Sequence, residues 1–402
     1  MARQLDLRTG RSVWSAYRLP AISTDQLNSD IRVDVVIVGM GISGAMAADA
    51  LTDSGLAVAC IDRRGPIAGS TAATTALVMY EIDQPLTLLA RRIGRDNAQR
   101  AWIRSRSALM NLQARIKELS LDCRLQFRQS LYLAGDILSP DDLREEVAAR
   151  CHCGVHSTYL SMADLHEQFG LVRKGAILSH EALTLDPRKL TAGLLNRAHG
   201  RGARLYSPVE AVGIVSNGGE VVVSTKAGPT IAASHAVVAT GYELMKGIQG
   251  PAGHRIISTW AIATSRQKRS IWPNEVMIWE ASDPYLYLRA LPDGRVICGG
   301  EDEDFTDEKR RDSLIAAKSR NLSRKLKRLL PQLDATPEFA WTGSFGTTET
   351  GLPYIGAVPR RPRVFAIMGY GGNGITYSRL AAEIVCSSII GREDRDADLF
   401  AL

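Results

Sequence analysis

Cysteine is scarce in this chain of 402 residues: Cys60, Cys123, Cys151, Cys153, Cys298 and Cys386 are irregularly spaced, and two of them fall inside strand-like runs. A disulfide framework needs denser cysteine, so the pattern points to a reducing compartment. Long apolar runs are also missing. Nothing approaches the ~20 residues needed to span a bilayer, and the opening MARQLDLRTGRSVW spreads charge where a secretory signal carries an apolar segment. No integral membrane segment is expected, and the cytoplasm is the expected location. No G-x-S-x-G occurs, which removes the elbow of a Ser–His–Asp hydrolase. Cys151-His152-Cys153 with His156 lacks the second ligand pair of a structural zinc site and falls at a helix end, so no metal is expected.

What is present suits a large soluble enzyme. With 45% hydrophobic and 23% charged residues, the chain can bury more core than one ordinary domain needs, and two domains are expected. The formal charge of +6 is scattered, except on one amphipathic stretch from Asp307 to Leu330. There Leu314, Leu322, Leu326 and Leu329 fall near one face and Lys318, Arg324, Lys325 and Arg328 largely elsewhere. This reads as a solvated helix face, and no nucleic-acid partner is expected.

The run Arg32-VDVVIV-Gly39 is continuously β-branched, as in a strand buried on both faces of a parallel sheet. A helix follows from Gly44 to Ser54, then the strand Leu56-AVACI-Asp62. Gly39-x-Gly41-x-x-Gly44 therefore lies between a strand and a helix. Gly39 permits the tight turn, Gly41 lets backbone amides approach a pyrophosphate, and Gly44 lets the helix pack on the strand. The phosphates would meet the helix start at Ile42 and Ser43. Asp62, about 20 residues on, is placed to accept from a ribose diol, with Arg63 beside it. An acid there disfavours a 2′-phosphate, which leaves NAD or FAD.

Further along, Gln84 to Ser120 is helical and polar, and Asp186-Pro187 opens another helix as N-cap and N1. Residues 254–300 alternate as antiparallel sheet. Dinucleotide-like elements recur near the C-terminus, where Val364-FAIMGYGGNGIT is strand, glycine turn and helix start.

Five ordered blocks then identify the chain as a member of the D-amino-acid oxidase (glycine and sarcosine oxidase) superfamily of FAD-dependent oxidoreductases, in the bacterial branch around gamma-glutamylputrescine oxidoreductase. They are VDVVIVGMGISGAMAADAL, AGSTAATTALVMYEID, ALTLDPRKL, AVVATGYE, and TGLPYIGAVP with GYGGNGIT. The resemblance spans almost the whole chain. It implies an α/β fold (α+β overall), a Rossmann-like FAD domain with an antiparallel-sheet substrate domain. Residues 30–82, 183–243 and 338–402 would form the first, 83–182 and 244–337 the second, and 1–29 an N-terminal extension.

The resemblance also implies roles. Ser70 and Thr71 would meet the phosphates, Thr74 and Thr75 the flavin ring, Val209 the adenine, and Thr240 and Gly241 the nucleotide. The turn Gly371, Gly372, Asn373, Gly374, Ile375 and Thr376 would close over the flavin pyrimidine. Free amides at such a helix start favour the negative charge of a reduced flavin. The implied reaction removes hydride from a C–H beside a neutral amine to flavin N5, and the imine hydrolyses. The substrate would be a small amine or amino acid and the electron acceptor oxygen, a quinone or an electron-transfer protein.

Tyr285, Tyr287 and Arg289 alternate on one strand face and form a candidate carboxylate clamp, an exposed strand face being the alternative. Trp260 and Trp279 read as core before pocket wall. The strand Arg295-VICGG lacks the lysine that the sarcosine-oxidase branch places over its flavin. No covalent attachment residue matches, so noncovalent FAD is expected. A fold-sharing flavoprotein without turnover and an NAD-dependent dehydrogenase are the competing readings. The isolated protein should be yellow, and heat denaturation should release unmodified FAD into the supernatant; flavin retained on the polypeptide would contradict noncovalent binding.

Overall fold

The computed structural model describes residues 6–243, 245, 248, 253–268 and 271–402. Residues 1–5 of the expected N-terminal extension, and Leu244, where a substrate-domain segment is expected to begin, lie outside them. Two sheets organise the chain.

The smaller sheet has eight strands. Its centre is Ile31–Val38, paired in parallel with Thr230–Val238 on one side and Val58–Ile61 on the other. Arg204–Tyr206 and Val364–Met368 extend the parallel array at its two sides. Val35, Val36 and Ile37 are fully buried, which is why the run carries no alternation. Helices Ile42–Asp53, Pro187–Gly200 and Gly374–Ile389 pack beside it. Ala45, Ala47 and Ala48 are buried along the first helix, and such small side chains allow close helix packing. Asp186 caps the second helix, accepting from the amides of Arg188 and Lys189.

The larger sheet has ten strands and is mostly antiparallel. Arg255–Thr264 pairs along its length with Pro337–Thr347 and on its other edge with Val296–Glu303. Leu286–Ala290, Met277–Glu280, Gln126–Leu133 and Gly175–Thr184 continue the sheet, with Ser157–Ser161 beside the last of these. One face is covered by helix Ile315–Leu329, whose Leu322, Leu326 and Leu329 meet Ile262, Leu288 and Cys298. The expected single helix from 307 to 330 is broken at Leu314 into Glu308–Ser313 and Ile315–Leu329. The break lets Arg311 turn inward, where it donates to Asp6 O and Ser344 Oγ.

Sheet membership departs from the expected segments at three places. Residues 338–347 lie in Pro337–Thr347, a strand of the larger sheet rather than of the nucleotide-binding segments. Leu77–Met79 also joins that sheet, and Arg8–Arg11 of the expected extension forms its edge strand. The chain thus crosses between the sheets more often than its hydrophobic pattern suggests, because periodicity marks a strand without saying which sheet it joins.

A buried ionic network joins helices to the larger sheet. Arg150 donates to Glu81 and Glu146, each at 2.8 Å, and all three side chains are sealed from solvent. Ser130 and Ser179 add hydroxyl donors to Glu81. Glu146 in turn accepts from the amides of Leu86 and Thr87 at the start of helix Leu86–Ile93. Removing one member strands two buried charges. Arg150→Met is therefore expected to cost about 3–5 kcal/mol, read as a lowered midpoint in thermal or urea unfolding of the holoprotein.

Candidate functional site

A long cavity runs along the junction of the two sheets. Asp62, Arg63 and Val209 line one end, Gly39, Gly41, Ile42, Ser43, Ser70 and Thr71 its middle, and Thr74, Thr75 and the Gly371–Ile375 turn its far part. Tyr285, Tyr287 and Trp279 wall the far end.

The middle is a backbone cradle. Gly39 has φ of 115°, a conformation that a β-carbon disfavours. A β-carbon on Gly44 would collide with the carbonyl oxygen of Gly39, so only glycine lets this helix start so close to the strand. Gly44 itself does not line the cavity. Its role is the close packing, as expected. The helix start leaves amides unpaired within the helix, and Ile42 N donates to Thr71 Oγ1 at 3.0 Å. The loop bearing Ser70 to Thr75 is pinned by two indoles: Trp14 donates to Thr74 O and Trp341 to Ala73 O, each at 2.7 Å.

Asp62 holds the turn together. Its carboxylate accepts from the amides of Met40, Arg64 and Gly65, at 2.8, 2.8 and 3.1 Å. Burial pushes it above the usual carboxylate range, and the three amides work against that shift. Oδ1 takes the Arg64 and Gly65 amides, and Oδ2, which takes Met40 alone, retains capacity for a hydroxyl donor. Arg63 and Arg64 both pair with Glu243, at 2.5 and 2.7 Å. A single carboxylate thus engages both guanidiniums and offsets one of their two positive charges. The Val209 amide donates to Asp62 O at 2.8 Å, so Val209 reaches this end through its backbone.

From the middle toward the far end, Ser43 and Ser378 share a hydroxyl hydrogen bond of 2.8 Å that links helices Ile42–Asp53 and Gly374–Ile389. The Gly371–Ile375 turn is tied to the strand before it: Asn373 donates to Glu81 O, and Thr376 Oγ1 donates to Met79 O at 2.6 Å. Thr376 is 1% exposed and does not line the cavity, so its hydroxyl anchors the turn instead of facing it. Thr240 and Gly241 do line the cavity.

The Tyr285, Tyr287 and Arg289 cluster is divided. The two phenol rings lie 5.5 Å apart on the cavity wall. Arg289 is buried away from it, donating to Ala76 O at 2.7 Å and Leu185 O at 3.1 Å and facing the Trp14 ring. Alternation places the three on one face, but one further strand step carries Arg289 beyond the end of the cavity. Burial lowers its pKa to about 9, partly opposed by Asp186. Trp279 stacks on Tyr132 at 3.9 Å and contributes to the wall. Trp260 touches the wall too, but its ring is core, with Lys318 over it and its indole donating to Arg311 O.

Two acids were not anticipated. Asp83 accepts from the Gly372 amide at 2.7 Å. It is exposed by area because the cavity is open around it, yet it is surrounded by protein on the scale over which a charge is solvated, and desolvation pushes it up to about 6. Asp302 is likewise raised to about 6, chiefly by burial. Asp83 closes the block ending YEID, where an acid after an apolar strand was a visible signal. Asp302 sits in the acidic run Glu301 to Asp304, and spacing does not single it out.

The donor set fits FAD: a glycine cradle at a helix start, an acid for the ribose, hydroxyls along the middle, and a second helix start at the far end. The model of the FAD dependent oxidoreductase family (DAO) matches residues 34–388. Gamma-glutamylputrescine oxidoreductase of Escherichia coli (strain K12) is 24% identical over 94% of this chain and 88% of its own length. The crystal structure of glycine oxidase from Geobacillus kaustophilus is 23% identical with a TM-score of 0.77, covering 92% of this chain and 98% of that one. That of L-proline dehydrogenase from P. horikoshii is 18% identical with a TM-score of 0.76, covering 92% and 97%. Gly44→Ala should separate helix from strand and weaken FAD retention by about tenfold or more, measured as flavin content after dialysis against the folded state's circular dichroism.

Proposed function

This chain belongs to the FAD dependent oxidoreductase family, and from that premise we propose that it oxidises the C–N bond of a small amine or amino acid. The observation that carries this reading is the continuity of the cavity, which joins the glycine cradle to an aromatic chamber facing the Gly371–Ile375 turn. A small substrate held there lies against the far end of a dinucleotide. FAD, when bound, supplies the two-electron acceptor for a hydride from the carbon beside nitrogen.

The chain's own residues bind and orient. The amides of the Gly371–Ile375 turn and the dipole of the 16-residue helix Gly374–Ile389 favour negative charge at the flavin's pyrimidine end. Tyr285 and Tyr287 are raised above the ordinary phenol value by burial and by Asp302, so both stay neutral and offer O–H donors toward the substrate. Trp279 and the two phenols exclude water from the chamber. The orienting role proposed for Arg289 passes to groups that face the cavity.

Relatives named for gamma-glutamylputrescine, glycine and proline support a nitrogen-bearing substrate. Their names include an oxidase and a dehydrogenase, so oxygen, a quinone and an electron-transfer protein all stand as acceptors. The six free cysteines support a reducing compartment such as the cytoplasm, and no helix among the described residues is long and apolar enough to cross a membrane. Anaerobic addition of amines and amino acids should bleach the flavin band; no bleaching by any of them would favour a flavoprotein without turnover. Admitting air afterwards distinguishes oxidase from dehydrogenase by the rate at which colour returns.

A further inference from the structure

We propose that Asp83 is the proton acceptor of the reaction: it takes an N–H proton from a substrate that enters as an ammonium ion and leaves the nitrogen lone pair free for oxidation. This rests on the amine-oxidising reading above. It deepens that reading by assigning the proton that must go before hydride departs.

The need comes from the substrate class. An aliphatic amine is protonated in neutral water, with a pKa of about 10.4 for the lysine side chain, and an ammonium nitrogen has no lone pair with which to form a C=N bond. In the step assigned to Asp83, one N–H bond breaks, its electron pair stays on nitrogen, and an O–H bond forms on the carboxylate. The positive and negative charges disappear together, so a water-poor chamber favours the neutral pair over the ions. The lone pair then becomes the second bond to carbon as hydride leaves to the acceptor that FAD supplies.

Position singles out Asp83. Four acids line the cavity among the described residues, and Asp62, Glu210 and Glu243 stand at the nucleotide end. No histidine or lysine lines it, and its two arginines, Arg63 and Arg64, are at that same end. The other titratable groups of the far part are the phenols Tyr242, Tyr285, Tyr287 and Tyr370, all held neutral by burial. A neutral phenol does not take the proton of an ammonium ion. Asp83 is the one base left on that wall.

The carboxylate is anchored at one oxygen and open at the other. The Gly372 amide donates to Oδ2 at 2.7 Å, and no hydrogen bond from the described residues reaches Oδ1. A β-carbon on Gly371 or Gly372 would press on these oxygens, so the two glycines let the acid lie against the turn that bounds the flavin end. Glu81, two residues earlier, is treated differently: Arg150, Ser130 and Ser179 all donate to it, away from the cavity. The groups that feel the charge of Asp83 are Tyr132, Tyr242, Tyr285, Tyr377 and Asp302, and none of them is a cation. Asp302 lies off the cavity wall beside Thr259 and Tyr285, on a β-bulge where Gly300 to Glu303 pair with Ser258 to Trp260. Desolvation, opposed by a single amide, raises Asp83 to about 6. It is therefore ionised at neutral pH and a stronger base than an ordinary carboxylate.

The test follows flavin bleaching in the anaerobic holoenzyme from pH 6 to 10 with sarcosine, L-proline, butylamine and N-methylbutylamine, and the fastest of them carries the comparison. For the wild type, kred/Kd should be level from pH 7 to 9. Asp83→Asn keeps an acceptor for the Gly372 amide, and its kred/Kd should fall by about a hundredfold at pH 7. It should then recover by about tenfold per pH unit as the amine becomes neutral in solution. A loss that is the same at every pH marks a structural role and overturns the proposal, as does a wild-type profile that climbs like the variant's. A second readout needs no turnover. tert-Butylamine has no hydrogen on the carbon beside nitrogen, so it binds without being oxidised, and calorimetric titration in phosphate and in Tris counts the protons released. The wild type should release none at pH 8 and one at pH 5, where Asp83 is already protonated, whereas Asp83→Asn should release one at both. If all four amines leave the flavin yellow, the amine-oxidising reading fails, and this count still decides the role of Asp83. Should the variant not fold, the wild-type change with pH decides it alone. No binding, or a wild-type count that is the same at both pH values, refutes the proposal.

Discussion

The contact on which the cofactor cavity depends is the approach of one helix to one strand, with nothing between them but backbone. At Gly39 and Gly44 no side chain fits, so the helix beginning at Ile42 stands close enough to the sheet to bring Gly41, Ile42 and Ser43 to the cavity wall. Asp62 then fastens the turn from the next strand by accepting three amides at once. The same carboxylate that would hold a ribose therefore also shapes the loop that would hold the phosphates. Altering it disturbs both functions together, and neither can be assigned to it alone.

The nucleotide half was readable from residues because its constraints are local. A strand buried on both faces, a glycine spacing and an acid at the end of the next strand each leave a mark within a few dozen positions. The distant Gly371–Ile375 turn was readable because it too is a strand, a glycine run and a helix start. For its last expected member, Thr376, the pattern does not reveal which way a helix-start side chain points. Here it points to Met79 O.

The substrate half was far less legible. Which side chains share a chamber is decided by sheet order, and Leu77–Met79, Pro337–Thr347 and Arg8–Arg11 join the larger sheet from remote parts of the chain. Strand alternation grouped Arg289 with the two tyrosines, but period alone does not say where a cavity ends. Asp302 was hidden among neighbouring acids. A bulge breaks the alternation on which a face assignment would rest, and bulges of this kind have no fixed spacing.

The cavity is assembled from segments at both ends of the sequence. The Gly39 cradle is made early in synthesis, while Gly371–Ile375, the turn that bounds the flavin end, emerges more than three hundred residues later. Between them the nascent polypeptide presents half a binding surface: a ledge for adenosine with no wall beyond it. On the proposed binding mode, cofactor loading would wait on completion of the chain, and a truncated product lacking that last turn would carry the glycine motif intact and still lack the far wall of the cavity.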